Sequence, residues 1–123
     1  MAIVITEKQF EAQVKDLAKV FGWKYYHTWR SIHSPAGFPD CVMVRPPRLI
    51  FAELKSEKGK LSPEQQEWLD ILRECQINRD GTSVVTLTDT MVDEGKIPRI
   101  YIALPEVYLW RPNDIDGIVK ILQ

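Results

Sequence analysis

Near the start of the chain, Phe10, Val14, Leu17, Ala18 and Phe21 recur every three or four positions with polar residues between them, the spacing of one helix face. Thr6-Glu7-Lys8-Gln9 ahead of them has the layout of a capping box and Gly22 behind them is a stop, so the pattern predicts an amphipathic helix. The period then changes. Trp23 to Thr28 is aromatic-rich and reads as a strand; Gly37 to Val44 and Leu49 to Lys55 are apolar, β-branched-rich runs joined by the turn signal Arg45-Pro46-Pro47-Arg48, which makes them a hairpin. Ser62-Pro63-Glu64-Gln65 opens a second helix, with Ser as N-cap, Pro at the first helical position and Gln completing a capping box. Leu61, Trp68, Leu69, Leu72 and Cys75 form its apolar side. Ser83 to Thr88 and Arg99 to Leu104 read as two strands around a polar stretch, Val107 to Trp110 as a last core strand, and Asn113 as the cap of a short helix bearing Ile115, Ile118, Val119 and Leu122. This order predicts an α/β (α+β) fold: a mixed central sheet flanked by helices, with an inserted β-hairpin near 83–104.

Length makes this one domain, residues 1–123, with room for its own core. No apolar run approaches a membrane span, and the N-terminus lacks the layout of a signal peptide, so a cytoplasmic protein is expected. Cys41 in a core strand and Cys75 on an apolar helix side read as buried thiols of a reducing compartment. His27 and His33 have no partners at zinc-ligand spacing, which argues against a structural zinc. A net charge of −1 would argue against a nucleic-acid partner, but the charge is unevenly distributed: from Lys24 to Lys60 there are seven bases and three acids, and from Leu61 onward six bases and eleven acids. One face is therefore expected to be basic.

Two of those three acids carry the candidate chemistry. Alternation along a strand puts Glu53 and Lys55 on one face and Ile50, Ala52 and Leu54 on the other. Antiparallel pairing sets the start of the first hairpin strand beside the end of the second, which brings Asp40 next to Glu53 and Lys55. Charges on so apolar a sheet persist when paired or when they hold a metal. Hard cations such as Mg²⁺ take one or two carboxylates together with waters and substrate phosphates. A metal held there would polarise a phosphodiester and acidify a water, with Lys55 orienting that water or stabilising the developing charge. The plainer reading is a solvent-facing Glu/Lys pair after a strand-opening Asp.

Gly37-Phe38-Pro39-Asp40, Glu53-Leu54-Lys55, Leu61-Ser62-Pro63-Glu64-Gln65 and Trp68 together resemble the VRR-NUC branch of the PD-(D/E)XK nuclease superfamily, particularly its small stand-alone phage and bacterial members. The resemblance runs from about Thr6 to Leu72 and resumes at Trp110-Arg111-Pro112. It implies a restriction-endonuclease-like αβββαβ core, Mg²⁺- or Mn²⁺-dependent cleavage of DNA, and a preference for branched or flapped structures. The region from Asn78 onward departs from the compact family pattern, which leaves family-based substrate details open.

Gln65 shares the helix face of Trp68 and Leu69, so it points toward the sheet; capping alone explains it, and the resemblance implies a role beside the catalytic lysine, metal water or phosphate. Glu7 lies about 35° from the centre of the first helix's apolar stripe and Glu11 about 75° away. An acid so placed reaches over the sheet, although the helix dipole alone favours acids in a first turn. The family's first-helix glutamate matches Glu7 better than Glu11. The Leu54 carbonyl is a further candidate metal ligand. Arg30 and His33, in the loop leading to Gly37, and Lys58 and Lys60, after the catalytic strand, suit phosphate contact; Trp29 suits stacking on an unpaired base. Each has the alternative of a solvated loop residue.

The reading is therefore a Mg²⁺- or Mn²⁺-dependent DNA endonuclease selective for branched DNA, a four-way junction or flap, in the cytosol of a bacterium or phage-infected host. The rival is a non-catalytic DNA-structure-binding module on the same fold. Two coordinated cuts in a junction would call for a homodimer.

Overall fold

The computed structural model describes residues 4–29, 33–75 and 105–123. The inserted hairpin expected at 83–104, and Arg30, lie outside these residues. Helix α1 (Glu7–Val20) starts at Thr6, whose hydroxyl accepts from the Gln9 N–H while the Gln9 side chain accepts from the Thr6 N–H, the reciprocal box the sequence predicts. Strands β1 (Lys24–His27), β2 (Cys41–Arg45) and β3 (Arg48–Leu54) follow, then helix α2 (Pro63–Glu74), strand β4 (Pro105–Trp110), a 3-10 turn (Pro112–Asp114) and helix α3 (Ile115–Leu122). The sheet order is β1-β2-β3-β4, with β1, β2 and β3 antiparallel and β4 parallel to β3. This is the αβββαβ arrangement expected from the sequence, and its sheet is mixed.

The two sheet faces have different coverings. On one, Phe10, Val14 and Ala18 of α1 and Ile118 and Leu122 of α3 pack on Cys41, Met43, Ile50, Ala52, Leu54 and Trp110, all buried. Fully burying each large apolar side chain contributes roughly 1.5–3 kcal/mol, so this face contributes strongly to the drive for folding. On the other, Phe38 stands edge-on to both Phe51 and Trp68 and so joins α2 to β3. Glu53 faces α2 in this second layer and is 1% exposed.

Arg45 and Arg48 have structural work that their charge alone did not reveal. Both guanidinium groups stack over Trp23, at 4.6 and 4.9 Å from the ring. Arg45 donates to the carbonyls of Phe21 and Leu122, Arg48 to that of Ile121, and Trp23 Nε1 to that of Leu122. These donors satisfy carbonyls that a helix C-terminus leaves open, and they seat α3. Arg48 also pairs with Glu106 through two bonds of 2.7 and 2.8 Å, which holds the Glu106 carboxyl below its ordinary range. Two of the seven bases in the basic segment are thus spent at the hairpin turn, at the opposite end of the strands from Asp40.

Two expectations need correction. Cys75 is exposed: it caps the end of α2, where its thiol turns back to the Ile71 carbonyl, whereas Cys41 is fully buried and burial pushes its thiol up. Asn113 does not cap the last helix with its side chain; it sits inside the 3-10 turn, where Asp114 Oδ2 accepts from the Arg111 N–H. Among the described residues, no helix is long and apolar enough to cross a membrane.

Candidate active site

The hairpin closes on Arg45 opposite Arg48 and runs to Cys41 opposite Ala52. One step further sets Asp40 opposite Glu53. Asp40 Oδ2 accepts a 2.8 Å bond from the Leu54 N–H, so the carboxylate closes the end of the ladder itself. From the other side, Thr28 donates its N–H to the Asp40 carbonyl at 2.8 Å and its hydroxyl to the Pro39 carbonyl at 2.7 Å. Asp40 is therefore held by β1 and β3 together.

Glu53 is the electrostatic centre of the site. Its Oε1 accepts from Gln65 Nε2 at 3.0 Å and lies 3.9 Å from the Lys55 ammonium; its Oε2, equally buried, has no hydrogen-bond partner. Burial first, and then the charge of Asp40, push the Glu53 carboxyl up to about 8; Lys55 opposes the shift and the charge of Glu7 adds to it. A buried carboxylate with an orphaned oxygen, beside a second carboxylate and within reach of one ammonium, is an electron-rich oxygen donor set short of positive charge. That chemistry fits a hard divalent cation, which takes few protein carboxylates and completes its shell with water and phosphate. Among the described residues, no group of three or more Asp, Glu, His or Cys side chains gathers around one point, so the acids here are a pair.

The same Gln65 amide performs both of the roles the sequence left as alternatives. Its Oε1 accepts from the Ser62 N–H at 2.8 Å, completing the capping box with the Ser62 hydroxyl, while its Nε2 holds Glu53. The α2 N-terminus that carries it is pressed against Gly37. A Cβ at Gly37 would lie 2.5 Å from the Glu64 carbonyl carbon and 2.7 Å from the Gln65 nitrogen, and Gly37 has a φ of +94°. Only glycine fits, for reasons of both contact and conformation. Trp68 Nε1 reinforces the approach by donating to the Ala36 carbonyl at 3.2 Å. The sequence marked Gly37 as part of a motif, but nothing local announced the helix that it meets.

The remaining candidates differ in their surroundings. Glu7 is exposed in the first turn of α1. Glu11 is committed elsewhere: its Oε1 is 2.9 Å from His27 Nδ1. His33 is exposed in the loop before Gly37, and Lys58 and Lys60 are exposed just beyond β3. Trp29 is 79% exposed and stands edge-on to His27.

Residues 4–85 match the family model of the VRR-NUC domain, well over half of the 123-residue chain. No curated protein and no solved structure matches the chain. The match shows that the chain belongs to the VRR-NUC family, and placement in the PD-(D/E)XK superfamily accords with it. The chain thus carries a nuclease domain.

Proposed function

We propose that this member of the VRR-NUC family is an endonuclease that hydrolyses DNA phosphodiesters with Mg²⁺ or Mn²⁺ held by Asp40 and Glu53. The observation that carries the reading is the Glu53 carboxylate, 1% exposed, with Oε2 unpartnered and Asp40 against it. When bound, the ion supplies polarisation of the phosphodiester and a water of lowered pKa. The chain's own groups do the rest. Asp40, fixed through Leu54 and Thr28, and Glu53, fixed through Gln65, present oxygen donors that need no reorganisation. The Leu54 carbonyl is proposed as a further ligand, and Glu7, whose charge reaches Glu53 but which does not gather with the pair around one point, as a ligand only once a bound ion draws it in. The Lys55 side chain is 13% exposed, and its ammonium orients the attacking water or stabilises the negative charge that builds on phosphorus oxygens in the transition state.

DNA is the proposed substrate, contacted through Arg30, His33, Lys58 and Lys60. The exposed Trp29 ring supports selectivity for branched or flapped DNA, since an unpaired base gains by stacking on it. A homodimer would supply the two coordinated cuts that a four-way junction requires. The test is to incubate purified protein with labelled duplex, single-stranded, flap and four-way-junction DNA in EDTA, Mg²⁺ or Mn²⁺, with the mass in solution measured by light scattering. Metal-dependent cleavage favouring branched substrates is expected. Binding without cleavage in every condition would instead identify a binding module. A strict monomer that nicks flaps and leaves junctions intact would remove the dimer and keep the nuclease.

A further inference from the structure

We propose that Arg111 is a positioning residue of the catalytic site, acting through the Ser56–Gly59 turn on Lys55. The proposal rests on the nuclease reading of Lys55. Arg111 follows β4, distant in sequence from the hairpin, yet its Nη1 enters the turn and shares its two N–H bonds among three carbonyls: Ser56 at 2.6 Å, Glu57 at 3.2 Å and Gly59 at 2.7 Å. Three main-chain acceptors converging on one cationic nitrogen are the signature of a clamp. Two further ties join the same segments. The Lys55 N–H donates to the Trp110 carbonyl at 3.0 Å, and the Glu57 carboxylate accepts from the Asn113 N–H.

The clamped turn lies against the lysine that it follows. A Cβ on Gly59 would touch Lys55 Cδ at 3.4 Å and crowd Ser56 Oγ at 3.0 Å, so the turn backbone packs along the aliphatic stem of Lys55. Among the described residues, the Lys55 side chain makes no close hydrogen bond: its ammonium stands at 3.9 Å from Glu53, beyond hydrogen-bond reach. A long, flexible side chain held only by such a contact would sample many rotamers. The turn limits that freedom, and Arg111 holds the turn.

The experiment compares wild type, Arg111→Ala and Arg111→Lys in the full chain. Trypsin cleavage after Lys58 and Lys60 under native conditions reports whether the turn is held, independently of activity. Arg111→Ala should be cut about tenfold faster there, since the turn opens locally. Its kcat for DNA cleavage should fall about 10- to 100-fold while KM and DNA affinity stay within about threefold, as expected when a reacting group is misplaced by an ångström or less. Arg111→Lys, which retains a donor on a shorter reach, should fall between the two, and it decides the matter if the alanine variant does not fold. A normal kcat with faster proteolysis would make Arg111 a structural clip only and overturn the proposal. A rise in KM alone would make it a DNA contact, and an unchanged proteolysis rate would show that it does not hold the turn; either result overturns the proposal. A wild type that cleaves no DNA removes the nuclease reading and this inference with it, whereas an active wild type with a normal variant removes this inference alone.

Discussion

Replacing Gly37 by alanine should damage the site without touching any charged group in it. The added Cβ would sit 2.5 Å from the Glu64 carbonyl carbon, 2.6 Å from its oxygen and 2.7 Å from the Gln65 nitrogen. Ordinary contact begins near 3.4 Å, so about 0.9 Å must be recovered, and every atom in the way is backbone. Either the Gly37 loop or the first turn of α2 has to move. Overpacking of this kind costs roughly 1–3 kcal/mol. Holding a residue with a side chain at positive φ costs roughly 1–2 kcal/mol more. A loss of about 2–5 kcal/mol is expected, large against the 5–15 kcal/mol that typically separates folded from unfolded chains. The movement also carries Gln65, whose 3.0 Å bond to Glu53 has little slack, so activity should fall about 100-fold even where the protein remains folded. Gly22→Ala is the control, because Gly22 also has positive φ, +79°, but nothing lies within 4 Å of the added Cβ. It should lose only the conformational part, roughly 1–2 kcal/mol, and retain activity. Urea unfolding and single-turnover cleavage below the melting temperature measure the two effects. Equal destabilisation by both substitutions would refute the steric argument, and a fully active Gly37→Ala would refute the link from that contact to Glu53.

Three further outcomes are expected. Asp40→Asn and Lys55→Ala should each abolish cleavage while DNA affinity stays within a few-fold, because these groups act mainly in the transition state; gel-shift and cleavage assays on the same samples check this, and near wild-type cleavage by either would show the site to be misassigned. Gln65→Ala should lose about 1 kcal/mol through the cap and also most of its activity, because one amide serves both contacts; full activity in a cleavage assay would leave only the cap. Since the Glu53 carboxyl is raised from 4.5 to about 8, the folded state keeps a proton there that the unfolded chain releases, so without metal this contribution is full below pH 4.5 and is lost as pH rises through about 8. The span corresponds to at most about 5 kcal/mol. Thermal melts in EDTA should show this fall for wild type and not for Glu53→Gln, and Mn²⁺ should reverse it in wild type; coincident pH profiles for the two proteins would contradict the shift.

The elements that chain neighbours decide were legible in the residues. Thr6 with Gln9 and Ser62 with Gln65 are three apart, within one helical turn, and both boxes form as written. The Pro46-Pro47 turn and the alternation along β2 and β3 set the hairpin, and the hairpin alone brings Asp40 to Glu53. What lay beyond reach depends on elements meeting across the fold. Glu53 reads locally as half of a solvated Glu/Lys pair; only α2 laid over the sheet makes it buried, with an oxygen unpartnered. Gln65 could be given a cap or a site from its spacing, but not both, because the second contact spans twelve positions and two elements. Arg45 and Arg48 counted toward a basic face until α3 returned to present carbonyls to them, and Arg111 gained a role only when β4 ran parallel to β3 and delivered it to the turn after Lys55. Capping, turns and alternation are encoded by neighbours a few residues apart, so sequence determines them directly. Burial, the pairing of charges and the close approach of Gly37 to α2 depend on which surfaces pack together, and only the assembled fold decides that.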